Sequence, residues 1–67
     1  MKKLFDLYPE ATAIYDTGKY YGIAVGEDFY LVNKSTLETE KSLLRYESEV
    51  IDLIENAIPI WYAEDNN

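Results

Sequence analysis

This chain of 67 residues has 13 acidic and six basic side chains, a formal net charge of −7, and neither histidine nor cysteine. A length of this order accommodates one small domain, so residues 1–67 are treated as a single folded unit. The missing thiols and imidazoles exclude disulfides, thiolate zinc sites and the usual nucleophile pairs of hydrolases, and the negative charge disfavours nucleic acid and anionic membranes as direct ligands.

The composition predicts a folded chain in the cytoplasm. Hydrophobic residues make up 48% and aromatic residues 15% of the sequence, which is too much for a disordered protein even at this net charge. The apolar start at Leu4 and Phe5 is interrupted by Asp6 and Pro9 before the hydrophobic stretch of a signal peptide is complete. No run is long enough to span a membrane, so we expect a cytoplasmic protein.

Turn residues divide the N-terminal half into three predicted strands. Residues 2–8 offer a turn or two of helix that Pro9 closes, and the strand-favouring residues that follow predict strands over 11–16, 19–25 and 29–33. Gly18 and Gly26 provide the positive φ that tight hairpin turns need. These features predict a three-stranded antiparallel meander, and 36–41 is a candidate fourth strand that places charges at the edge of the sheet.

Apolar residues change to a helical spacing from Leu43 onward. The core face of the predicted helix over 43–57 consists of Leu43, Tyr46, Val50, Leu53, Ile54, Ala57 and Ile58. Pro59 disfavours helical geometry at Ile58, so the helix is expected to end near Ala57. The predicted fold is α+β: a three- to four-stranded antiparallel meander packed by one C-terminal helix, with 60–62 docking back onto it and 64–67 as a frayed tail.

Both faces of the predicted sheet are apolar. With two-residue hairpin loops, one face carries Ile14, Tyr21, Ile23, Val25, Tyr30 and Val32, and the other carries Ala11, Ala13, Tyr15, Tyr20, Gly22, Ala24, Phe29 and Leu31. One helix covers one face. The second face is then covered either by residues 2–8 and 60–62 of the same chain or by another molecule, and the sequence leaves both alternatives open.

The negative charge is concentrated in the C-terminal half. Residues 38–67 contain eight acidic and two basic residues, whereas residues 1–37 contain five and four. On the predicted helix Glu49, Asp52 and Glu55 recur at about 4.5 Å of rise per step, and Glu38 and Glu40 extend the negative surface. This row is either a solvated face that keeps the protein soluble or a surface that docks on a basic groove as a nucleic-acid mimic.

No arrangement of residues predicts catalysis. The carboxylates are predicted to be solvated and the serines lack an activating partner, so no catalytic, metal-binding or cofactor-binding residue is assigned. We expect a non-enzymatic interaction protein, an adaptor or an inhibitor, that binds a basic or apolar surface of a larger protein. Its candidate contact residues are Glu38, Glu40, Glu49, Asp52, Glu55, Tyr15, Tyr20 and Phe29. The alternative is a structural homo-oligomer, such as a homodimer, assembled through the second apolar sheet face or an edge strand.

Overall fold

The computed structural model describes residues 2–63, and the predicted tail over 64–67 lies outside them. The elements are α1 (Lys2–Leu7), β1 (Ala13–Asp16), β2 (Tyr20–Val25), β3 (Asp28–Asn33), β4 (Thr39–Leu44), α2 (Ser48–Glu55) and β5 (Ile58–Tyr62). The strands form one sheet in the order β4-β3-β2-β1-β5, and every neighbouring pair is antiparallel. The α+β class with an antiparallel sheet is confirmed, whereas the predicted strand count and the single helix are wrong, because β5 and α1 complete the fold.

Two glycine turns set the register of the central strands. The pair Val25 and Asp28 brackets a two-residue loop that begins with Gly26 at a φ of +59°. Gly18 has a φ of +98° in the preceding hairpin. The left-handed region is open to glycine at no steric penalty, so both loops close as predicted. Ala11 differs from the prediction, since it precedes β1 and packs on the opposite face from Ala13.

The fourth strand is shifted from the predicted 36–41 to 39–44. The Asn33 side chain causes the shift, because its Oδ1 accepts the backbone N–H groups of Ser35 and Thr36 and holds them in a turn. Leu37 completes this turn with a φ of +62°. The strand therefore starts later, and a bulge that leaves Glu40 without a partner on β3 follows its first residue.

The helix α2 is also shorter than the predicted 43–57. Leu43 pairs with Phe29 in the sheet, so it belongs to β4, and Glu47 ends the strand by accepting the Leu44 N–H on its side chain. The Glu47 carbonyl then accepts the first two intrahelical bonds of α2. At the other end Asn56 caps the helix, since its backbone and side-chain nitrogens both donate to the carbonyl of Asp52.

Each face of the sheet is covered by one helix. The α2-side face, which lies under α2, forms a buried cluster with Val50 of that helix. Its buried residues are Ala13, Tyr15, Ala24, Phe29 and Leu31. The α1-side face, which lies under α1, gathers Leu4, Ala11, Ile14, Ile23 and Val32. The second apolar face predicted from the sequence is therefore covered by the chain's own N-terminal segment, assisted by Trp61 of β5.

Candidate interaction surface

The outward side of α2 is acidic. Val50, Leu53 and Ile54 point into the α2-side face and fix the rotation of the helix. That rotation leaves Glu49, Asp52 and Glu55 exposed, as the sequence predicts. Asp52 and Glu55 lie toward the C-terminal end of α2, where the helix dipole disfavours each negative charge by about 0.3 kcal/mol or more. The last turn of the helix carries no basic residue to compensate this effect.

One lysine connects the acidic row to the sheet. Lys41 of β4 lies with its Nζ 3.2 Å from the Glu49 Oε2, and both side chains are about half exposed. An ion pair this exposed contributes about 0–1 kcal/mol, so little stability is lost when it opens. Glu40 is also exposed and accepts a bond of 3.0 Å from the Asn33 side-chain amide. Glu38 is exposed in the loop before β4, where its backbone carbonyl accepts the Asn33 N–H.

Exposed apolar side chains are concentrated in the same part of the chain. Of the six large apolar side chains that are exposed among residues 2–63, only Leu7 lies in the N-terminal half, and the others are Leu44, Tyr46, Ile51, Ile58 and Ile60. Tyr46 is 62% and Ile58 69% exposed, although the helical pattern places both in the core. Two features of the sequence indicate that Tyr46 and Ile58 lie outside the helix: the helix start at Glu47-Ser48 and the proline at position 59. We call the exposed side chains of residues 46–55 the α2 surface. Ile58 is not part of it, because Ile58 pairs with Asp16, which also pairs with Tyr21, and these residues lie on the α1-side face.

The three aromatic residues assigned to partner binding lie beneath α2. Phe29 is fully buried, Tyr15 is 7% exposed, and the two rings lie 6.2 Å apart between centroids. Tyr20 is partly buried against the same cluster. These rings stabilise the domain from inside, and a partner cannot reach Tyr15 or Phe29 without displacing α2. The sequence could not show this, because it does not determine which sheet face the helix covers.

The remaining polar features are structural. The Asp16 carboxylate accepts bonds from the Lys34 ammonium at 2.6 Å and the Gly18 amide at 2.8 Å, and these bonds lower the pKa of Asp16 below its ordinary value. A groove of about 290 Å³ lies beside α1 and is lined by Lys3, Asp6, Leu7, Thr36 and Leu37. Within residues 2–63, no group of three or more acidic side chains is placed to hold a metal ion.

Both edges of the sheet carry features that oppose strand addition. β4 has its bulge and the charged side chains of Glu40 and Lys41, and β5 has a bulge together with Pro59, which has no N–H to donate. The α1-side face is covered, as described above. The sequence suggests a homo-oligomer because one sheet face or an edge strand could be open. Since the structure covers both faces and interrupts both edges, this argument for a homo-oligomer is weakened.

Neither helix in the described part of the chain has the length and apolar character needed to cross a lipid bilayer. Comparisons with protein-family models, with curated proteins and with solved structures returned no significant match to this chain.

Proposed function

We propose that this chain is a small, non-enzymatic protein-interaction module of the cytoplasm, which binds a larger protein through the α2 surface. The partner presents basic residues interspersed with apolar ones. Binding makes the chain either an adaptor or an inhibitor of that partner. The observation that carries the proposal is that residues 46–55 combine the exposed acidic row with two exposed large apolar side chains, Tyr46 and Ile51.

The apolar side chains provide area for a contact. Isolated apolar residues on a surface need no explanation, but exposed apolar side chains bordered by charged ones are typical of a protein-binding site. Tyr46 offers a ring together with a hydroxyl group, which suits a contact that is dry at the centre and wet at the rim. Ile51 lies on α2 itself, next in the chain to Asp52, so apolar and acidic contacts come from one helix.

The acidic side chains provide orientation and attraction. The chain has a net charge of −7, and the α2 surface contributes Glu47, Glu49, Asp52 and Glu55 to it. A negative field of this kind speeds association with a basic partner and disfavours acidic ones. Lysine or arginine side chains of a partner would also compensate the unfavourable position of Asp52 and Glu55 on the helix dipole.

The most specific form of the proposal is that the partner's basic surface is a nucleic-acid-binding groove. Three carboxylates in a row on a rigid helix imitate a short line of phosphates, and a protein that occupies such a groove excludes nucleic acid from it. A nucleic-acid competitor would then displace this chain from its partner. Displacement by duplex DNA or RNA, measured on the captured complex, tests this form separately from binding itself.

The test is affinity capture from the native host with quantitative mass spectrometry, using three forms of the full chain. The first is the natural sequence, and the second is the triple variant Glu49→Gln, Asp52→Asn and Glu55→Gln. The third is a matched control, Asp6→Asn, Glu10→Gln and Glu27→Gln, which removes the same charge from exposed positions outside α2 and its acidic row. Each form is tested at low and at high ionic strength.

We expect the natural chain and the control to retain the partner, and the α2 variant to lose it. Rising salt should weaken the capture without abolishing it, because the apolar part of the contact is insensitive to screening. Equal capture by all three forms would contradict the proposal. Equal loss from both variants would also contradict it, because net charge and not the α2 surface would then determine binding.

A further inference from the structure

The α1-side face holds α1 in the way a groove holds a bound peptide. Leu4 is 2% exposed, and the side chains of Ile14, Ile23 and Val32 are fully buried. Two aromatic contacts hold this segment against the sheet. Phe5 meets Trp61 edge to face at 4.8 Å between ring centroids, and Tyr8 stacks on Tyr30 at 5.3 Å. The Tyr8 hydroxyl also bonds the Thr39 side chain of β4.

The α1 helix itself is a weak element. It has six residues, and isolated helices shorter than about 12 residues are marginal in water. Its lysines lie in the first turn and Asp6 in the last, which is the reverse of the arrangement that the helix dipole favours. Its packing is incomplete along one side, where a groove of about 290 Å³ stays open beside Lys3, Asp6 and Leu7. The helix therefore depends on docking for its stability.

The net charge of the whole chain favours a basic occupant. Residues 2–7 contain two lysines and one aspartate, so this segment has a charge of +1 within a chain of net charge −7. The remainder of the molecule accordingly has a charge of −8. A helix with more basic residues than α1, and with basic residues near its C-terminal end, would be attracted more strongly than α1 itself.

We propose that α1 is a displaceable occupant of a second binding site, and that the α1-side face accepts a short basic amphipathic helix from a partner protein. Such a helix carries apolar or aromatic side chains at the relative positions of Leu4, Phe5 and Tyr8, that is i, i+1 and i+4. In the free protein α1 fills the site and inhibits it. This site is on the opposite face of the sheet from α2, so it does not depend on the function proposed for the α2 surface.

The first measurement is native-state hydrogen exchange on the natural chain. The Tyr8 amide donates to the Leu4 carbonyl at 2.8 Å, and the Ala11 amide donates to the Tyr8 carbonyl at 3.1 Å. We expect both amides to exchange at least 100-fold faster, relative to their intrinsic rates, than the amides of β2, because α1 opens while the sheet stays folded. Equal protection in α1 and β2 would overturn the proposal, since α1 would then open only on global unfolding.

The second measurement is titration of the full chain with a blocked synthetic peptide of residues 2–8, which contains Leu4, Phe5 and Tyr8 and has two lysines against one aspartate. Trp61 is the chain's one tryptophan and the peptide has none, so tryptophan fluorescence reports on the site directly. Tethered α1 competes with the peptide at a high effective concentration. The variant Leu4→Ala weakens this competitor, and we expect it to bind the peptide at least tenfold more tightly than the natural chain does. Phe5→Ala is a milder alternative if the first variant does not fold.

Two controls separate displacement from loss of stability. Leu31→Ala removes a buried leucine from the α2-side face, so it loosens the fold without freeing the site, and its affinity for the peptide should match that of the natural chain. A peptide with alanine at both of its Leu4 and Phe5 positions should not bind. Absence of binding to any form of the chain would overturn the proposal, as would equal binding of the two peptides. Self-association of the Leu4→Ala chain in place of peptide binding would assign the site to a second copy and would also overturn it.

Discussion

The substitution Gly22→Ala tests how closely the sheet packs beneath α2. Gly22 lies in the centre of β2 and pairs with both neighbouring strands. A Cβ at this position would lie 2.4 Å from the Phe29 Cζ and 3.1 Å from its Cε2. Carbon atoms in ordinary contact are about 3.5–4.0 Å apart, so the ring or the strand would have to move by about 1 Å.

The magnitude follows from how tightly the ring is held. Phe29 is fully buried and packs against Tyr15 and Val50, so it cannot withdraw without moving α2. Overpacking of this kind costs about 1–3 kcal/mol, against a total stability of roughly 3–10 kcal/mol for a chain of this length. With a urea m-value of about 1 kcal/mol/M, the unfolding midpoint should fall by about 1–3 M.

The assay is urea unfolding followed by Trp61 fluorescence and by far-UV circular dichroism. A second substitution, Phe29→Leu, removes the atoms that the new methyl group meets, so the double variant should lose less stability than the sum of the two single variants. We expect a coupling energy of at least about 1 kcal/mol. An unchanged midpoint for Gly22→Ala, with additive effects in the double variant, would refute the packing of Phe29 over Gly22.

The Lys34 ammonium and the Gly18 amide hold the pKa of Asp16 below its ordinary value of 3.8, so the stability from this pair is complete above that pH and is lost as pH falls through the lower folded pKa. Asp16→Asn should therefore be less stable than the natural chain at neutral pH, and the difference should shrink in thermal unfolding below pH 4. Leu37 has a φ of +62°, so Leu37→Gly should be more stable than Leu37→Ala by about 1 kcal/mol, and the usual order with alanine above glycine would contradict the strained turn. Because both sheet faces are covered and both edges are bulged, sedimentation equilibrium should give the monomer mass at every accessible concentration, and a dimer mass would contradict this reading of the edges.

The central hairpins could be predicted because their signals are local. Gly18 and Gly26 each provide a positive φ at the position where a two-residue loop needs it, and the alternation of side chains then follows from the register. The apolar character of both sheet faces was also predictable. The sequence left two alternatives for the second face, which could be covered by the chain's own terminal segments or by another molecule. It could not decide between them, because nothing in the residue types of Leu4 and Phe5 indicates which side chains they contact.

The boundaries of β4 and α2 could not be predicted, because Leu43 suits either period. As a helix residue Leu43 would share the apolar side of the helix with Val50, and as a strand residue it pairs with Phe29 from β4. The strand pairing prevails because the Asn33 turn and the Glu47 side chain fix both ends of the segment. Local propensity contains neither of these contacts.

The last strand depends on partners distant in sequence. Ile58 pairs with Asp16, more than forty residues earlier in the chain. The sequence indicates only that residues 60–62 dock somewhere, and a proline at position 59 argues against a strand in the middle of a sheet. At an edge Pro59 is tolerated, so β5 forms there and leaves Ile58 exposed.

Among the residues predicted to contact a partner, the acidic ones on α2 are exposed whereas Tyr15 and Phe29 are buried, and this difference has a physical cause. Glu49, Asp52 and Glu55 stay exposed because the burial of Val50 on one side of a helix places them on the other. Tyr15 and Phe29 are buried because α2 takes their face of the sheet. A charged residue on an amphipathic helix indicates its own exposure, whereas an aromatic residue on a sheet with two apolar faces does not.

Hydrogen-exchange footprinting of the captured complex locates the surface through which the chain binds its partner. Exchange is compared between the free chain and the chain bound to its partner, residue by residue. If the chain binds through the α2 surface, protection on binding is concentrated in residues 46–55, which contain α2, Tyr46 and Ile51, while α1 and β2 change little. Protection confined to residues 2–11 and the α1-side face, with residues 46–55 unchanged, would show that the partner binds elsewhere.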